Sequence, residues 1–235
     1  MKDIAIIIPT YNEAENIREL VEKILALKLQ NSKIIIVDDN SPDGTGKLAD
    51  SLAKRHQGKI TVIHRSGKLG LGTAHTDGFK LAASYVAKVI ITMDADLSHE
   101  PSVIPQMLNK LKNADLVIGS RYVEGGGIIG FPVWRLVLSS IAQGMCKFFL
   151  RIKVHDSTSA YRAYKKDALK KIRPETIKSD GYSYLIEVVY RAQKERLRVF
   201  EIPIIFKARE KGKSKVSQAE IVKALVTVFR LKFLQ

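Results

Sequence analysis

Short β-branched runs alternate with amphipathic stretches through the first half of the chain. They are IAIII at 4–8, KIIIV at 33–37, ITVIH at 60–64, VIIT at 89–92 and DLVIG at 115–119, with helical patterns opening near Glu13, Gly44, Thr73 and Pro101 between them. This βαβαβαβαβ order restricts the fold more than any other feature. It predicts an α/β architecture with a mostly parallel central sheet and helices on both faces, in which ligands occupy the crevice beyond the carboxyl ends of the strands.

The polar and glycine-rich clusters fall at those ends. PTYNE follows the first strand, DDNSPDGT the second, GKLGLGTA the third, DADLSHE the fourth and GSRY the fifth. Each alone reads as turn chemistry, but five in a row along one edge read as a site. After Arg121 the pattern changes to a triple-glycine loop at 125–127, an apolar helix with basic residues near 134–151, a short strand near 160–164, a helix near 182–194, the strand RVFEIPI and a last helix from about Ser217. This half is expected to build out from the sheet edge and carry a second substrate.

With 235 residues, 46% of them hydrophobic, and no linker-like region, the chain is read as one domain over 1–235. Residues 1–122 are read as the half that carries the edge clusters. Residues 123–235 are read as the half that carries the second substrate, with a basic loop at 207–217 and a C-terminal helix. The single cysteine, Cys146, lies in an apolar helical stretch, which excludes a disulfide framework and a cysteine zinc site and fits a reducing compartment. The N-terminus does not read as a signal peptide, and no run reaches the ~18 apolar residues that a bilayer span requires. A net charge of +15 calls for a polyanionic partner: nucleic acid, nucleotide phosphates or anionic lipid.

Asp94 and Asp96 form a D-x-D triplet, a weak signal in itself, since twelve Asp in 235 residues give about 0.6 such triplets by chance. Its place at the end of an apolar strand is what matters. Two carboxylates facing a nucleotide crevice suit a hard divalent cation bound together with substrate phosphates. His99 and Glu100 are accessory candidates, although a helix start before Pro101 explains them as well. Asp38 and Asp39 end the second strand, where a carboxylate accepts bonds from a ribose or a base, while Asp43 reads as turn chemistry. GKLGLG lacks the spacing of a Walker or dinucleotide loop. Arg121 follows the fifth strand, and KAREKGKSKVS at 207–217 reads as a mobile basic loop able to close over phosphates, or as a solvated basic loop.

PTYNE, DDNSPDGT, GLGTA, MDADLSH, GSRY and REKGKSK, in this order and spacing, resemble the polyprenyl (dolichol) phosphate mannosyltransferases of glycosyltransferase family 2, over nearly the whole chain. The resemblance implies a GT-A type fold and inverting mannosyl transfer from GDP-mannose to a polyprenyl phosphate with Mg2+ or Mn2+. It implies a nucleotide wall of Pro9, Tyr11 and Glu13, guanosine contacts from Val37 and Asp39, and donor and metal contacts from Asp94 and Ala95. Asp96 becomes the principal metal ligand. Arg121 holds the sugar or the acceptor phosphate, so that Asp96 and Arg121 carry the catalysis, and Arg209 and Lys215 hold the phosphates. Asp156, Thr158 and Arg162 are expected near the acceptor end. Ser98 stands where some relatives carry a metal-binding Gln.

Many members of that family carry transmembrane helices after this domain. The segment EIVKALVTVFRLKFLQ reads equally as an interfacial helix or as one packed on the sheet, and the basic surface or a membrane-anchored partner subunit would bring the enzyme to its lipid. The expected location is cytoplasmic, peripheral at the cytoplasmic face of a membrane. Two rival readings are a polyprenyl-phosphate glucosyltransferase using UDP-glucose and a nucleic-acid-binding module. The second lacks any RRM, KH or zinc-finger signature and any aromatic-basic interleaving, so no nucleic-acid partner is expected.

Overall fold

In the first strand, β1 (Ile4–Thr10), Ile6 and Ile8 bury themselves in one hydrophobic cluster and Ala5 and Ile7 in another. The two-residue period of a strand sends successive side chains to opposite faces, so an uninterrupted apolar run has to be covered on both. The same division recurs in β2 (Ser32–Asp38), where Ile34 and Ile36 join the first cluster and Ile35 and Val37 the second. The computed structural model describes residues 3–208 and 218–233.

Helices α1 (Ile17–Ala26), α2 (Thr45–Arg55) and α4 (Ile104–Leu111) supply one covering layer, through Leu20, Leu52 and Met107. On the other face lie α3 (Leu71–Ser84), α5 (Val133–Leu150) and α7 (Gly181–Lys194), through Phe79, Cys146 and Leu185. Helix α3 approaches β1 closely: a Cβ on Gly78 would lie 2.5 Å from Ile7 Cγ2. Helix α1 starts later than its sequence pattern because the Glu13 carbonyl first closes a turn, accepting from the amides of both Asn16 and Ile17.

Strands β3 (Ile60–His64), β4 (Val89–Thr92), β5 (Leu116–Ser120), β7 (Arg162–Lys165) and β8 (Val199–Pro203) complete a seven-stranded sheet in the order β3-β2-β1-β4-β7-β5-β8. All its pairings are parallel except those of β7, which runs antiparallel to both β4 and β5. The expected mostly parallel sheet with helices on both faces is present. The expectation that the second half only builds outward is corrected: β7 inserts between two strands of the first half. Strand order reverses between β1 and β4, which opens a crevice at their carboxyl ends. A short parallel pair, β6 (Gly127–Ile129) with β9 (Ile205–Lys207), stands beside it.

Helix α6 (Lys166–Ile172) follows β7, and α8 (Gln218–Phe233) packs on α5 and α7. Glu187 of α7, fully buried, holds α8 through Arg230 and its own helix through Arg191. No helix among the described residues is long and apolar enough to cross a membrane.

His75 of α3 is fully buried beside Phe79 and Tyr184, and neither ring nitrogen has a partner. Burial, with the nearby Arg162 charge adding to it, pulls its pKa down to about 3 from 6.5. An unfolded chain binds a proton here well before the folded one does. The stability this ring contributes is therefore complete above about pH 6.5 and is lost progressively as pH falls towards 3. Between pH 7.5 and pH 5 the Tm of His75→Phe is expected to fall less than that of the wild type, by roughly 2–4 °C per kcal/mol of lost linkage. Parallel Tm profiles would refute this.

Candidate active site

The crevice is walled first by the turns after β1 and β2. Asp38 is consumed by local structure: Oδ1 accepts from Thr10 Oγ1 (3.1 Å) and Ser41 Oγ (2.5 Å), and Oδ2 from the Ser41 amide. Asp43 does the same for the start of α2, accepting from Thr45 and from the Ala14 amide. Glu13 is buried, its amide on Thr45 Oγ1 and its carboxylate on Asn16. Pro9 is half-buried in β1, and Tyr11 lies under Lys68, whose Nζ sits 4.7 Å from the ring centre.

Asp39 faces a partner that the sequence reading missed. Arg65 Nη1 donates to Asp39 Oδ1 at 2.5 Å, and both side chains are buried. The amides of Leu69 and Gly70 donate to Asp39 Oδ2, while Arg65 also reaches the Gly70 carbonyl and Thr73 Oγ1. Asp39 thus ties the GKLG loop to the end of β2. The available signal was positional, because Arg65 directly follows the third strand, as the other edge clusters follow theirs.

After β4 the chain turns through Asp94, Ala95 and Asp96. Asp94 is about one-third exposed, Asp96 is buried, and Asp96 Oδ1 accepts from the Ser98 amide (3.2 Å) and hydroxyl (2.6 Å). Ala95 packs into the core beneath them. His99 is buried, its ring stacked on Tyr161, and its Nδ1 accepts from the Asp94 amide at 3.1 Å. Burial is the main force lowering its pKa to about 4, partly opposed by Asp96. Among the described residues no three His, Cys, Asp or Glu side chains gather to hold a metal. Two hard carboxylates one residue apart at a strand end nonetheless suit Mg2+ or Mn2+, which take oxygen donors and fill remaining positions with substrate phosphates and water. Ser98 spends its hydroxyl on Asp96 and so orients that carboxylate.

Arg121 sits at the end of β5 with its guanidinium clamped by Asp156, Nε to Oδ2 and Nη2 to Oδ1, both 2.7 Å. Nη2 also donates to Thr158 Oγ1 (2.8 Å), which in turn accepts from Gln143 of α5. Burial alone would lower the Arg121 pKa, but the Asp156 charge and hydrogen bonds outweigh it and leave it raised. Burial likewise works against the Asp156 carboxylate, and Arg121 holds it below the ordinary range. Arg121, Asp156 and Thr158 are therefore one unit.

The side chains of Val37 and Arg162 also lie in the interior. Val37 is fully buried in the core. Arg162 is also fully buried, its Nε donating to the Ser159 carbonyl and Nη2 to that of Ser157, so it braces the loop behind Asp156 instead of reaching the crevice. Its position in the inserted strand β7 turns it inward. Arg209 and Lys215, with residues 209–217 of the expected closing loop, lie outside the described residues, whereas Lys207 ends β9.

Asp94, His99, Arg121 and Thr158 line one end of a cavity of about 340 Å³. The rest of its wall is mostly apolar, with Leu138, Ile141, Met145, Leu185, Ile186 and Val228 among the lining side chains, while Arg135, Ser139 and Tyr182 add polar groups. Asp94 and the clamped arginine thus meet at the head of a mostly apolar slot, an arrangement suited to an amphipathic anion.

Comparison with known proteins decides the family. Residues 5–173 match the family described as Glycosyl transferase family 2. The chain belongs to glycosyltransferase family 2. This glycosyltransferase is 42% identical over 224 residues to polyprenol monophosphomannose synthase of Mycolicibacterium smegmatis, covering 95% of this chain and 84% of the relative. It is 38% identical over 224 residues to undecaprenyl-phosphate mannosyltransferase of Micrococcus luteus, covering 95% and 91%. Among solved structures, glucosyl-3-phosphoglycerate synthase of Mycobacterium tuberculosis in complex with Mn2+, UDP and phosphoglyceric acid superposes with a TM-score of 0.74. It covers 99% of this chain and 79% of that one at 16% identity, a likeness of fold. The GT-A type expectation is met by this glycosyltransferase.

Proposed function

We propose that the enzyme transfers mannose from GDP-mannose to a polyprenyl phosphate with inversion, assisted by Mg2+ or Mn2+. The observation that carries this reading is the cavity: an apolar slot whose head holds Arg121, Thr158 and Asp94 matches an acceptor with a phosphate at one end and an isoprenoid chain behind it. The names of the two bacterial relatives point the same way.

A phosphate monoester is ionised near neutral pH, so its oxygen attacks the anomeric carbon without a strong general base. What the protein contributes is position and charge. Arg121, its orientation set by Asp156, offers fixed positive charge to the acceptor phosphate, and the mostly apolar slot, once filled by the acceptor chain, disfavours water as a competing nucleophile. Asp94 and Asp96 would hold the cation, which when bound screens the diphosphate and the charge growing on it as it leaves. Pro9, Tyr11, Glu13 and Asp39 would surround the nucleoside, with Arg209 and Lys215 on the phosphates.

Because Asp39 both faces the nucleoside side and anchors the GKLG loop, Asp39→Ala is expected to raise the Kd for GDP by roughly 10- to 100-fold and to leave kcat at saturating donor nearly unchanged. Calorimetric titration checks it, and an unaltered Kd would remove Asp39 from the nucleotide site. A polar rim interrupts the apolar surface of α5 and α8. Val133, Trp134, Phe148 and Phe233 are each more than 60% exposed, beside Lys147 and Lys232. Such faces support peripheral attachment to the cytoplasmic side of an anionic membrane.

Incubation with GDP-mannose, Mn2+ and a short polyprenyl phosphate tests the whole reading. Lipid-linked mannose by mass spectrometry is the expected product, and transfer from UDP-glucose instead would replace the donor assignment.

A further inference from the structure

The ring of His99 is fixed more tightly than a capping residue before Pro101 requires. It stacks on Tyr161 with ring centres 4.9 Å apart and meets the edge of Phe206 at 5.4 Å. Tyr161 in turn donates its hydroxyl to the Glu100 carbonyl at 3.0 Å, and Phe206 also lies 5.4 Å from the Arg121 guanidinium carbon. Two aromatic residues from the second half of the chain thus hold the imidazole against the acidic turn. The hydrogen bond from the Asp94 amide to Nδ1 then settles the ring's chemistry. A nitrogen that accepts an N–H carries no proton itself, so the proton of the neutral ring belongs on Nε2. Of the two ring nitrogens only Nδ1 is engaged within the described residues, and His99 lines the cavity with Asp94 and Arg121.

We propose that His99 is a positioning residue that sets the Asp94 main chain through Nδ1, and that the tautomer this imposes presents Nε2–H to the phosphate of the acceptor beside Arg121. The second half of the proposal rests on the acceptor reading given above; the first does not. Both roles follow from one bond. If the Asp94 amide lost its acceptor, the acidic turn would lose one of the contacts that set its main chain, and Nε2 would no longer be obliged to carry the proton.

Three measurements separate these roles. His99→Phe keeps the ring and its stacking but removes both nitrogens. His99→Asn places an amide oxygen near the Nδ1 position and does not reach Nε2. With folding verified by Tm, His99→Phe is expected to lower kcat roughly 10- to 100-fold and to raise the acceptor KM, with the donor KM little changed. His99→Asn is expected to recover most of kcat while the acceptor KM stays raised. A two-bond 15N–1H correlation spectrum of the wild-type ring is expected to show the Nε2–H tautomer. An Nδ1–H ring, a folded His99→Phe with wild-type kcat and acceptor KM, or a His99→Asn no better than His99→Phe would each overturn the proposal. Should the wild type transfer no sugar to polyprenyl phosphate, the acceptor reading and the Nε2–H role fall together, and the ring spectrum alone decides the positioning role.

Discussion

Replacing Asp96 by Ala is expected to lower kcat by about a thousand-fold or more at saturating donor, the scale on which loss of a principal charge-stabilising group acts. Asp96 is the buried member of the pair, and its Oδ1 is already oriented by two bonds from Ser98, whereas Asp94 is one-third exposed. Loss of this oriented oxygen removes the anchor for the cation. Asp94→Ala should therefore cost less than Asp96→Ala. Folding should survive, because the side chain lies in the turn beyond β4, where it accepts from Ser98, rather than within a strand. Mn2+ titration followed by electron paramagnetic resonance, with GDP present, gives a second readout: binding is expected to weaken in step with kcat. Near-normal kcat in Asp96→Ala would sink the metal assignment.

Asp156→Ala is expected to damage stability and transfer together. The carboxylate is fully buried and receives two guanidinium bonds from Arg121 as well as the amides of Arg121, Thr158 and Ser159. Removing it strands a buried cation, which costs about 3–5 kcal/mol, or a Tm drop of roughly 6–20 °C in a chain of this size. The arginine that faces the acceptor would also lose its orientation. If the two residues act as one unit, adding Arg121→Ala to Asp156→Ala should cost far less stability than the sum of the single changes. Transfer should be as low in the double variant as in either single one. Additive Tm losses would mean that the pair is two independent contacts.

The buried arginine of β7 shows where sequence reading stops. Arg162 comes soon after the polar stretch at 156–159, as Arg121 comes directly after Gly119 and Ser120, and neither context says which of the two arginines reaches the crevice. One is sealed in the interior and the other heads the cavity because β7 runs antiparallel between β4 and β5 while β5 points its carboxyl end at the crevice. Strand placement is a non-local choice, settled by which apolar faces remain to be covered, and periodicity along the chain carries no record of it. Arg65 and Asp39 illustrate the same limit: 26 residues separate them, and only the parallel pairing of β2 with β3 brings them together.

By itself the sequence determined the alternating elements, their burial on both faces, and the line of polar clusters at the strand ends. Those features follow from local periodicity and from turn chemistry, which each segment carries within itself. The acidic pair after β4 and the arginine after β5 were legible for that reason. Only the tertiary structure decided the insertion of β7 and the pairings Asp39 with Arg65 and Asp156 with Arg121. It also decided that Val37 and Arg162 face inward, and that helices α5, α7 and α8 close an apolar slot onto the charged edge. Each of these depends on which distant surface a side chain meets, and that is set by packing the whole sheet and its helices at once.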